Sequence, residues 1–375
     1  MYYLKQYNNT LLQFDIYEDS LEGQSCKLIS VAEENRYLLP IGLELTDEGI
    51  MSWLKSRVIP KNREFVDSFL AKNGLSHSDV KGIIDICLGL SLNDSFWVVD
   101  SSFNGLYEDY NLYDNDFVKA LSLIAYTGYG SSRAHGFTSS PEFTTAGMLR
   151  KGWRRLGGKT ILFKGGTSGA ANTGNEPYSE FYASQIAKAM GVNCVEYGLS
   201  MWSHSLCSTC ELFSDIDHAY VPIYRFIKKP NLRNVADYLK ALGDDFYNAY
   251  VDMLVLDAVI CNEDRHYGNF GLMVDNKTNK PYAFAPVFDN GLSLFNYAMP
   301  DDLDNIESYA ETRQPHSGAS FEAVVSEFIT IRQREMLRRL IGFKFVDQPT
   351  YKWPSKRKAV IEAYIQKRVS HLLQL

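Results

Sequence analysis

Three polar side chains in the last third of the chain have the types and the spacing of a phosphoryl-transfer site. Asp264 is followed, after four intervening residues, by Asn269, and Asp289 lies further along the chain. In such a site one carboxylate accepts the proton of the attacking hydroxyl, while an amide oxygen and a second carboxylate bind Mg²⁺ on the phosphates of ATP. The pattern predicts Asp264 as the catalytic residue and Asn269 and Asp289 as metal ligands.

The surrounding sequence predicts a helix, a polar loop and a β-hairpin in that order. A helical pattern over residues 243–261 leads into the loop, and two strand-like runs follow, Gly271–Asp275 and Tyr282–Phe288, joined by the polar turn Asn276–Asn279. A hairpin is a stiff way to hold two metal-facing groups at a fixed separation. The spacing of the aspartate and asparagine alone also fits a solvated turn, so the order of the elements carries the prediction.

A lysine that ends a strand precedes a glutamate on a helix. Lys164 closes the strand-like run KTILFKGG, and Glu180 belongs to a helix that begins near Asn175 and ends at Gly191. Small residues share the face of Glu180, so its carboxylate could pair with Lys164 and hold the ammonium toward the ATP phosphates. The alternatives are a lysine that extends its amine to solvent and a solvated helix glutamate.

Two weaker patterns indicate further nucleotide contacts. Gly147 lies in the run TTAGMLRK, where a glycine would allow close backbone approach and Lys151 would face an anion. Glu211 and Phe213 follow a predicted strand and would form a hinge whose backbone binds adenine. A loop glycine beside a basic strand is common, so the first pattern is unspecific.

Histidine and cysteine side chains near the middle of the chain provide a zinc alternative. His204, Cys207, Cys210 and His218 have suitable types and short spacings. However, the alternation through SHSLCSTCELF predicts a strand, which would send Cys207 and Cys210 to opposite faces, and a second cysteine pair is missing. The six scattered cysteines fit reduced thiols in a cytosol.

Composition excludes several classes of protein. The chain has 375 residues, of which 45% are hydrophobic and 22% charged, as in an ordinary globular protein. A net charge of −7 argues against a general nucleic-acid backbone binder. The sequence has no apolar N-terminal segment and no run as long as a membrane span. We therefore expect a cytoplasmic protein without a membrane or direct nucleic-acid partner.

Residues 141–295 resemble the HipA-like kinases. AGMLRK is similar to the glycine loop of that family, ILFK to its ATP-lysine strand, SEFYASQIAKAMG to the following helix and NEDRHYGNFG to its catalytic loop. Asp-Arg-His-x-x-Asn is also the pattern of phosphatidylinositol kinases. The resemblance implies ATP and Mg²⁺ as cofactors, Asp264 as catalytic aspartate, Asn269 and Asp289 as Mg²⁺ ligands, and Lys164 as a phosphate contact.

The resemblance also implies an α+β, protein-kinase-like fold with two lobes and an additional N-terminal subdomain. We predict an N-terminal subdomain with its connecting segment over residues 1–116, a nucleotide-binding small lobe over 117–213 and a mostly helical catalytic lobe over 214–375. The expected reaction is transfer of the γ-phosphoryl group of ATP to Ser or Thr of a protein. The alternatives are a lipid or small-molecule kinase and a nucleotide- or zinc-binding regulator without turnover. Toxin members of the family are inhibited by an antitoxin, which implies an inhibitor protein as a partner.

The segment Gly128–Thr145 concentrates glycine, serine and threonine just before the predicted glycine loop. The family resemblance implies a self-phosphorylation site there. The candidate acceptors are Ser139, Ser140, Thr144 and Thr145. A phosphate on one of them would bring about −1.5 to −2 charge, could pair with Arg150 or Lys151, and would pull the loop out of its ATP-bound arrangement. The alternative is that these hydroxyls belong to ordinary loop residues.

Overall fold

The computed structural model describes residues 1–19, 23–131 and 137–375. Its strands are β1 (Tyr2–Gln6), β2 (Asn9–Asp19), β3 (Gly23–Val31), β4 (Phe96–Asp100), β5 (Lys151–Leu156), β6 (Lys159–Gly165), β7 (Gly198–Trp202), β8 (Ser205–Glu211), β9 (His218–Pro222), β10 (Gly271–Asp275) and β11 (Lys280–Phe284). Its helices are α1 (Asp47–Lys55), α2 (Val66–Lys72), α3 (Val80–Cys87), α4 (Lys119–Thr127), α5 (Glu176–Met190), α6 (Leu232–Leu242), α7 (Asp244–Ile260), α8 (Pro300–Asp304), α9 (Ile306–Glu311), α10 (Phe321–Phe328), α11 (Ile331–Arg338) and α12 (Ser355–Leu372).

The chain folds into two compact units. The first consists of Met1–Phe163, Leu212–Val221 and Met273–Tyr282, and the second of Lys164–Glu211, Pro222–Leu272 and Ala283–Leu375. From the sequence we expected three lobes, with boundaries after residues 116 and 213. The two compact units do not test these boundaries, which stay a prediction.

An antiparallel sheet with strand order β3-β2-β1-β4 organises the start of the first unit. On β1, Leu4 pairs with Leu12 of β2 and with Val98 of β4, and all three side chains are buried. This agrees with the period of two that a sheet with one buried face requires. Helix α2 begins at Val66, because the residue before it, Phe65, has φ 62° and is outside the helical conformation.

The other strands form two smaller sheets, with orders β5-β6-β8-β7 and β11-β10-β9. β7 and β8 are an antiparallel hairpin in which Trp202 pairs with Ser205. The two turn residues between them, Ser203 and His204, both have positive φ, as a two-residue hairpin turn of the I′ type requires.

Helix α7 is the centre of the second unit. Every residue from Tyr250 to Ile260 is buried, so this helix is covered on all sides. Each fully buried aliphatic side chain of this run stabilises the fold by roughly 1.5–3 kcal/mol. The helix ends at Cys261, which has φ 51°, and the polar loop begins there. The helix predicted over 243–261 is thus present, and its packing fixes the start of the loop.

The hairpin after the loop differs from the prediction in its second strand. β10 has the predicted bounds, but β11 ends at Phe284, whereas the sequence predicted a strand to Phe288. Pro286 cannot donate a ladder hydrogen bond. The next residue, Val287, pairs elsewhere: its N–H donates to the Asn193 carbonyl at 2.8 Å, and its carbonyl accepts from the Val195 N–H at 2.9 Å. None of the helices in the described ranges is long and apolar enough to cross a membrane.

Candidate active site

A buried ion-pair group joins β6, α5 and the segment after β11. The Nζ of Lys164, at the end of β6, lies 2.7 Å from Oε1 of Glu180 on α5 and forms a second ion pair with Oδ1 of Asp289. Glu180 is fully buried, and the Lys164 side chain is 9% exposed. The structure therefore brings together three of the residues that the sequence singled out, and neither the solvent-directed lysine nor the solvated glutamate is observed.

The charge of Lys164 is secured by its neighbours. Burial by itself would lower the pKa of the ammonium, but the carboxylates of Asp289 and Glu180 outweigh this effect and raise the pKa well above its ordinary value. One ammonium faces two carboxylates, so the group has an excess of negative charge. A divalent cation on oxygen ligands would compensate that excess.

Local signals in the sequence place Glu180 correctly on its helix. Asn175 precedes the first residue of α5, Pro177 lies in the first turn, and Gly191 ends the helix with φ 86°, as expected from the sequence. The second carboxylate oxygen of Glu180 accepts a hydrogen bond from the N–H of Asn290 at 2.8 Å. Glu180 thereby binds both the lysine and the segment that contains Asp289.

The loop after α7 is held by hydrogen bonds to its own backbone. The Asp264 N–H donates to Oδ1 of Asn262 at 3.2 Å, and Nδ2 of Asn269 donates to the Asp264 carbonyl at 2.9 Å. Because the amide NH₂ of Asn269 is used in this way, its Oδ1 is the atom suited to a metal. Asn269 is buried, whereas Asp264 is half-buried, so part of its carboxylate is accessible to solvent.

The surroundings of Asp264 alter its acidity. Burial raises the pKa of its carboxyl group, and the nearby Asp289 carboxylate raises it further. Positive charge on His266, His316 and Lys164 acts in the opposite direction, but the net shift is upward. A carboxylate with a raised pKa is a better proton acceptor than an ordinary aspartate.

Arg265 connects the loop to the segment that contains Asp289 and was not singled out in the sequence. Its guanidinium forms a two-pronged ion pair with Asp257 of α7, at 2.9 and 3.0 Å. It also donates to the carbonyls of Asn269 and Phe288 and, at 2.6 Å, to Oδ1 of Asn290. A signal existed: Asp257 is a charge within an apolar helix, and buried charges require a partner.

Asp289 has a strained backbone. Its φ is 57°, in the left-handed region where non-glycine residues are uncommon apart from Asn and Asp. The hydroxyl of Tyr197 accepts a hydrogen bond from its N–H at 3.2 Å. Strain of this kind persists where surrounding contacts fix it, and it is frequent at functional sites. Nothing in the sequence around Tyr197 indicated this contact.

The other predicted nucleotide contacts are divided between the units. Gly147 and Lys151 lie in the first unit, where Lys151 begins β5 and its Nζ donates to the Ala146 carbonyl at 2.9 Å. Glu211 is the last residue of β8. Phe213 lies in the first unit and contacts the ring of Tyr220 edge-on, with centroids 5.6 Å apart. Their roles in nucleotide binding stay predictions.

The four side chains of the zinc alternative lie in and around the β7–β8 hairpin and β9. Cys207 is fully buried on β8, whereas Cys210 is half-buried, as residues three apart on a strand face opposite sides. His204 is an exposed turn residue, and the His218 ring contacts Asp215. In the described part of the chain, no three side chains of His, Cys, Asp or Glu are grouped as a metal site.

No protein-family model matches the chain. In sequence it is similar to the serine/threonine-protein kinase CtkA of Helicobacter pylori, with 27% identity over 143 residues, which are 34% of this chain and 43% of the relative. The chain thus spans less than half the length of that curated relative.

The chain also matches two solved structures. The HipA structure from the Shewanella oneidensis MR-1 toxin–antitoxin complex of HipA, HipB and operator DNA matches 100% of both chains with a TM-score of 0.52 and 12% identity. The crystal structure of the H. pylori proinflammatory kinase CtkA covers 63% of this chain and 94% of that chain, with a TM-score of 0.47 and 16% identity. The HipA match confirms the predicted α+β, protein-kinase-like fold. The sequence similarity to a serine/threonine-protein kinase agrees with the resemblance of residues 141–295 to the HipA-like kinases.

Proposed function

We propose that the chain is an ATP- and Mg²⁺-dependent kinase that transfers the γ-phosphoryl group of ATP to a hydroxyl. The observation that carries this proposal is the buried pairing of Lys164 with Glu180 and Asp289, in the unit that also holds Asp264 and Asn269. A lysine held by two carboxylates is permanently charged and fixed in place, as a phosphate contact must be.

The residues of the second unit have complementary roles in this reaction. In its ionised form, Asp264 accepts the proton of the acceptor hydroxyl as the new bond from oxygen to the γ-phosphorus forms. The bond from that phosphorus to the β–γ bridging oxygen breaks, and ADP leaves. Lys164 neutralises phosphate charge. Arg265, which is paired with Asp257, holds the loop next to the segment that contains Asp289.

The donor set suits a magnesium ion. Oδ1 of Asn269 and the carboxylate of Asp289 are hard oxygen ligands, and Mg²⁺ is usually bound by one or two such groups together with substrate phosphates. When bound, the ion neutralises charge that develops on the β- and γ-phosphate oxygens.

We propose a serine or threonine of a protein as the acceptor. The support is the sequence similarity to a relative named as a serine/threonine-protein kinase. The test is incubation with γ-labelled ATP and either a protein lysate or lipid vesicles, followed by mapping of phosphosites by mass spectrometry. Label on serine or threonine of proteins is the expected result, and label found only in the lipid fraction would assign the chain to the lipid kinases.

An inhibitor protein is proposed as a partner. The HipA structure that matches the whole chain is that of a toxin–antitoxin complex with HipB, which supports an antitoxin-like partner here. Affinity capture from the native host, with the tagged chain at its natural level, is expected to recover one protein in a fixed ratio that lowers kinase activity on re-addition. Capture of no such inhibitor would contradict the proposal.

We further propose that the chain phosphorylates itself in the segment before the glycine loop, of which residues 132–136 lie outside the described residues. Ser140 is buried, and its hydroxyl donates to Glu142 at 2.5 Å. Thr144 is also buried and donates to the Leu90 carbonyl at 2.8 Å. A phosphate on Ser140 would place about −1.5 to −2 charge beside the buried Glu142 carboxyl, so this segment would be displaced.

Intact-mass measurement after incubation with Mg²⁺-ATP tests self-phosphorylation, with site mapping to distinguish the hydroxyls. We expect added phosphate on Ser139, Ser140, Thr144 or Thr145, together with falling activity. The Ser140→Ala variant shows whether Ser140 is the acceptor. Absence of phosphate from this segment, while another protein is phosphorylated, would remove the proposal.

A further inference from the structure

An arginine far from the kinase motifs in sequence binds the backbone of the predicted glycine loop. Arg63 precedes α2 in the first unit and is only 4% exposed. Its guanidinium donates to the carbonyls of Thr145 at 2.6 Å, of Ala146 at 2.8 Å, and of Gly147. The next residue, Glu64, continues the contact, because its N–H donates to the Met148 carbonyl at 2.9 Å. Four consecutive carbonyls of the loop are therefore bound by two consecutive residues.

This contact determines where the amide groups of the loop point. In a trans peptide the C=O and N–H of one unit point in opposite directions. If the carbonyls of Thr145, Ala146 and Gly147 point to Arg63, the N–H groups of residues 146–148 point away from it. Successive N–H groups on one side of a turn form an anion-binding concavity. In residues 1–19, 23–131 and 137–375, none of these three N–H groups has a recorded hydrogen-bond acceptor.

The loop also requires its glycine. Gly147 has φ 95°, a backbone conformation that residues with a side chain rarely adopt. A Cβ at this position would collide with Nζ of Lys151, which itself donates to the Ala146 carbonyl. Two cations, Arg63 and Lys151, thus occupy the carbonyl side of the turn, and a glycine lets the chain pass between them.

The fold maintains Arg63 at a cost. Burial lowers the pKa of its guanidinium to about 10, so it stays charged at neutral pH. Among the residues that the structure describes, its Nη1 has no hydrogen-bond partner. Phe65, two residues on, has φ 62°, a strained conformation for an aromatic residue. A buried, partly unsatisfied charge next to a strained backbone is destabilising, so a purely structural role would be served better by an apolar side chain.

We propose that Arg63 is a positioning residue that orients the amide N–H groups of residues 146–148 to bind phosphate oxygens of the nucleotide. This inference rests on the proposed function and deepens it. It assigns a task in nucleotide binding to the part of the chain that precedes the kinase motifs.

The test compares the affinities of the full-length protein for ATP and for adenosine, measured by calorimetric titration. Arg63→Gln removes the charge and most of the donors, and we expect its affinity for ATP to fall about tenfold, as for one lost hydrogen bond to a charged group. The affinity for adenosine should stay at the wild-type value, because adenosine has no phosphate. Arg63→Lys keeps the charge but not the three-carbonyl geometry, and its affinity for ATP should lie between the two.

Arg57 provides a matched control. It is equally buried in the same unit and donates to the carbonyls of Gly89 and Phe96, far along the chain from the glycine loop. Arg57→Gln should lower thermal stability without changing the ratio of ATP to adenosine affinity.

An unchanged ATP affinity in Arg63→Gln, or equal losses for ATP and adenosine, would overturn the inference. If Arg63→Gln does not fold, Arg63→Lys decides by the same criterion. A wild-type protein that binds no ATP would instead refute the proposed function itself.

Discussion

Lys164 is the residue on which the electrostatics of the site depend. Burial of an unpaired ammonium at this position would be strongly unfavourable in free energy. The ammonium of Lys164 lies between two carboxylates and therefore keeps its charge. Arg265 and Asp257 form a second buried ion pair, with side chains 4% and 5% exposed. The sequence predicted Lys164, Glu180, Asp264, Asn269 and Asp289 because their types and spacing relate directly to phosphate chemistry.

Residues that act on those side chains were not predictable in the same way. Arg265 stands between two residues of the motif, but two of its acceptors, the Phe288 carbonyl and Oδ1 of Asn290, lie 23 and 25 residues further along the chain. The hydroxyl of Tyr197 reaches the Asp289 N–H across 92 residues of chain. Such contacts arise from tertiary packing, for which the charged Asp257 within its apolar helix was the one local signal.

The raised pKa of Asp264 gives a prediction for pH dependence. Activity requires the carboxylate, so it is lost as pH falls through the folded-state pKa, which lies above the ordinary value of about 3.9. Positive charge on His316 lowers that pKa, so His316→Gln should raise it and move the acid limb of kcat/KM to higher pH. His204→Gln, an exposed histidine on the β7–β8 turn, should leave the limb unchanged. A limb that stays or moves to lower pH in His316→Gln would contradict this electrostatic account.

At the scale of elements, long periodic segments were predicted well. α5 and α7 have the expected bounds to within a residue or two, because helix-end signals and apolar pattern agree there. β11 was wrong at its end, since the apolar run continues to Phe288 while the backbone of Val287 pairs with residues 193 and 195. Apolar runs predict burial, and the pairing partner decides where a strand ends.

The segment after β11 allows the metal role of Asp289 to be separated from its backbone role. Asparagine tolerates φ 57°, so Asp289→Asn should fold normally, whereas Asp289→Ala should be less stable by about 1–2 kcal/mol. Both variants should bind Mg²⁺-ATP at least about tenfold more weakly. Metal-free ATP should bind Asp289→Asn as well as or better than wild type, because a repelling charge is gone.

Calorimetry with Mg²⁺ and with EDTA measures these affinities, and thermal unfolding measures the stabilities. Equal losses with and without Mg²⁺ would show that Asp289 only shapes the turn.

At the scale of the whole molecule, the family resemblance predicted the fold class, while the compact units did not follow from the sequence. Their boundaries divide β6 after Phe163 and β10 after Leu272, inside strands that the sequence identified as single elements. Residues 212–221 and 273–282 join a unit whose main part ends at residue 163. Assembly of distant segments into one unit depends on long-range contacts, which composition and periodicity do not predict.

Phosphoryl transfer from ATP through Asp264 is tested most directly by measuring the transfer of γ-labelled phosphate by the Asp264→Asn variant. The variant keeps the shape of the side chain and removes its charge, so thermal stability should be unchanged while the rate falls by roughly 10²–10⁴-fold. Glu263→Gln is the matched control, since this neighbouring carboxylate is paired with Arg313 at 3.2 Å and should be dispensable. A folded Asp264→Asn protein that transfers phosphate at the rate of wild type and Glu263→Gln would contradict the account.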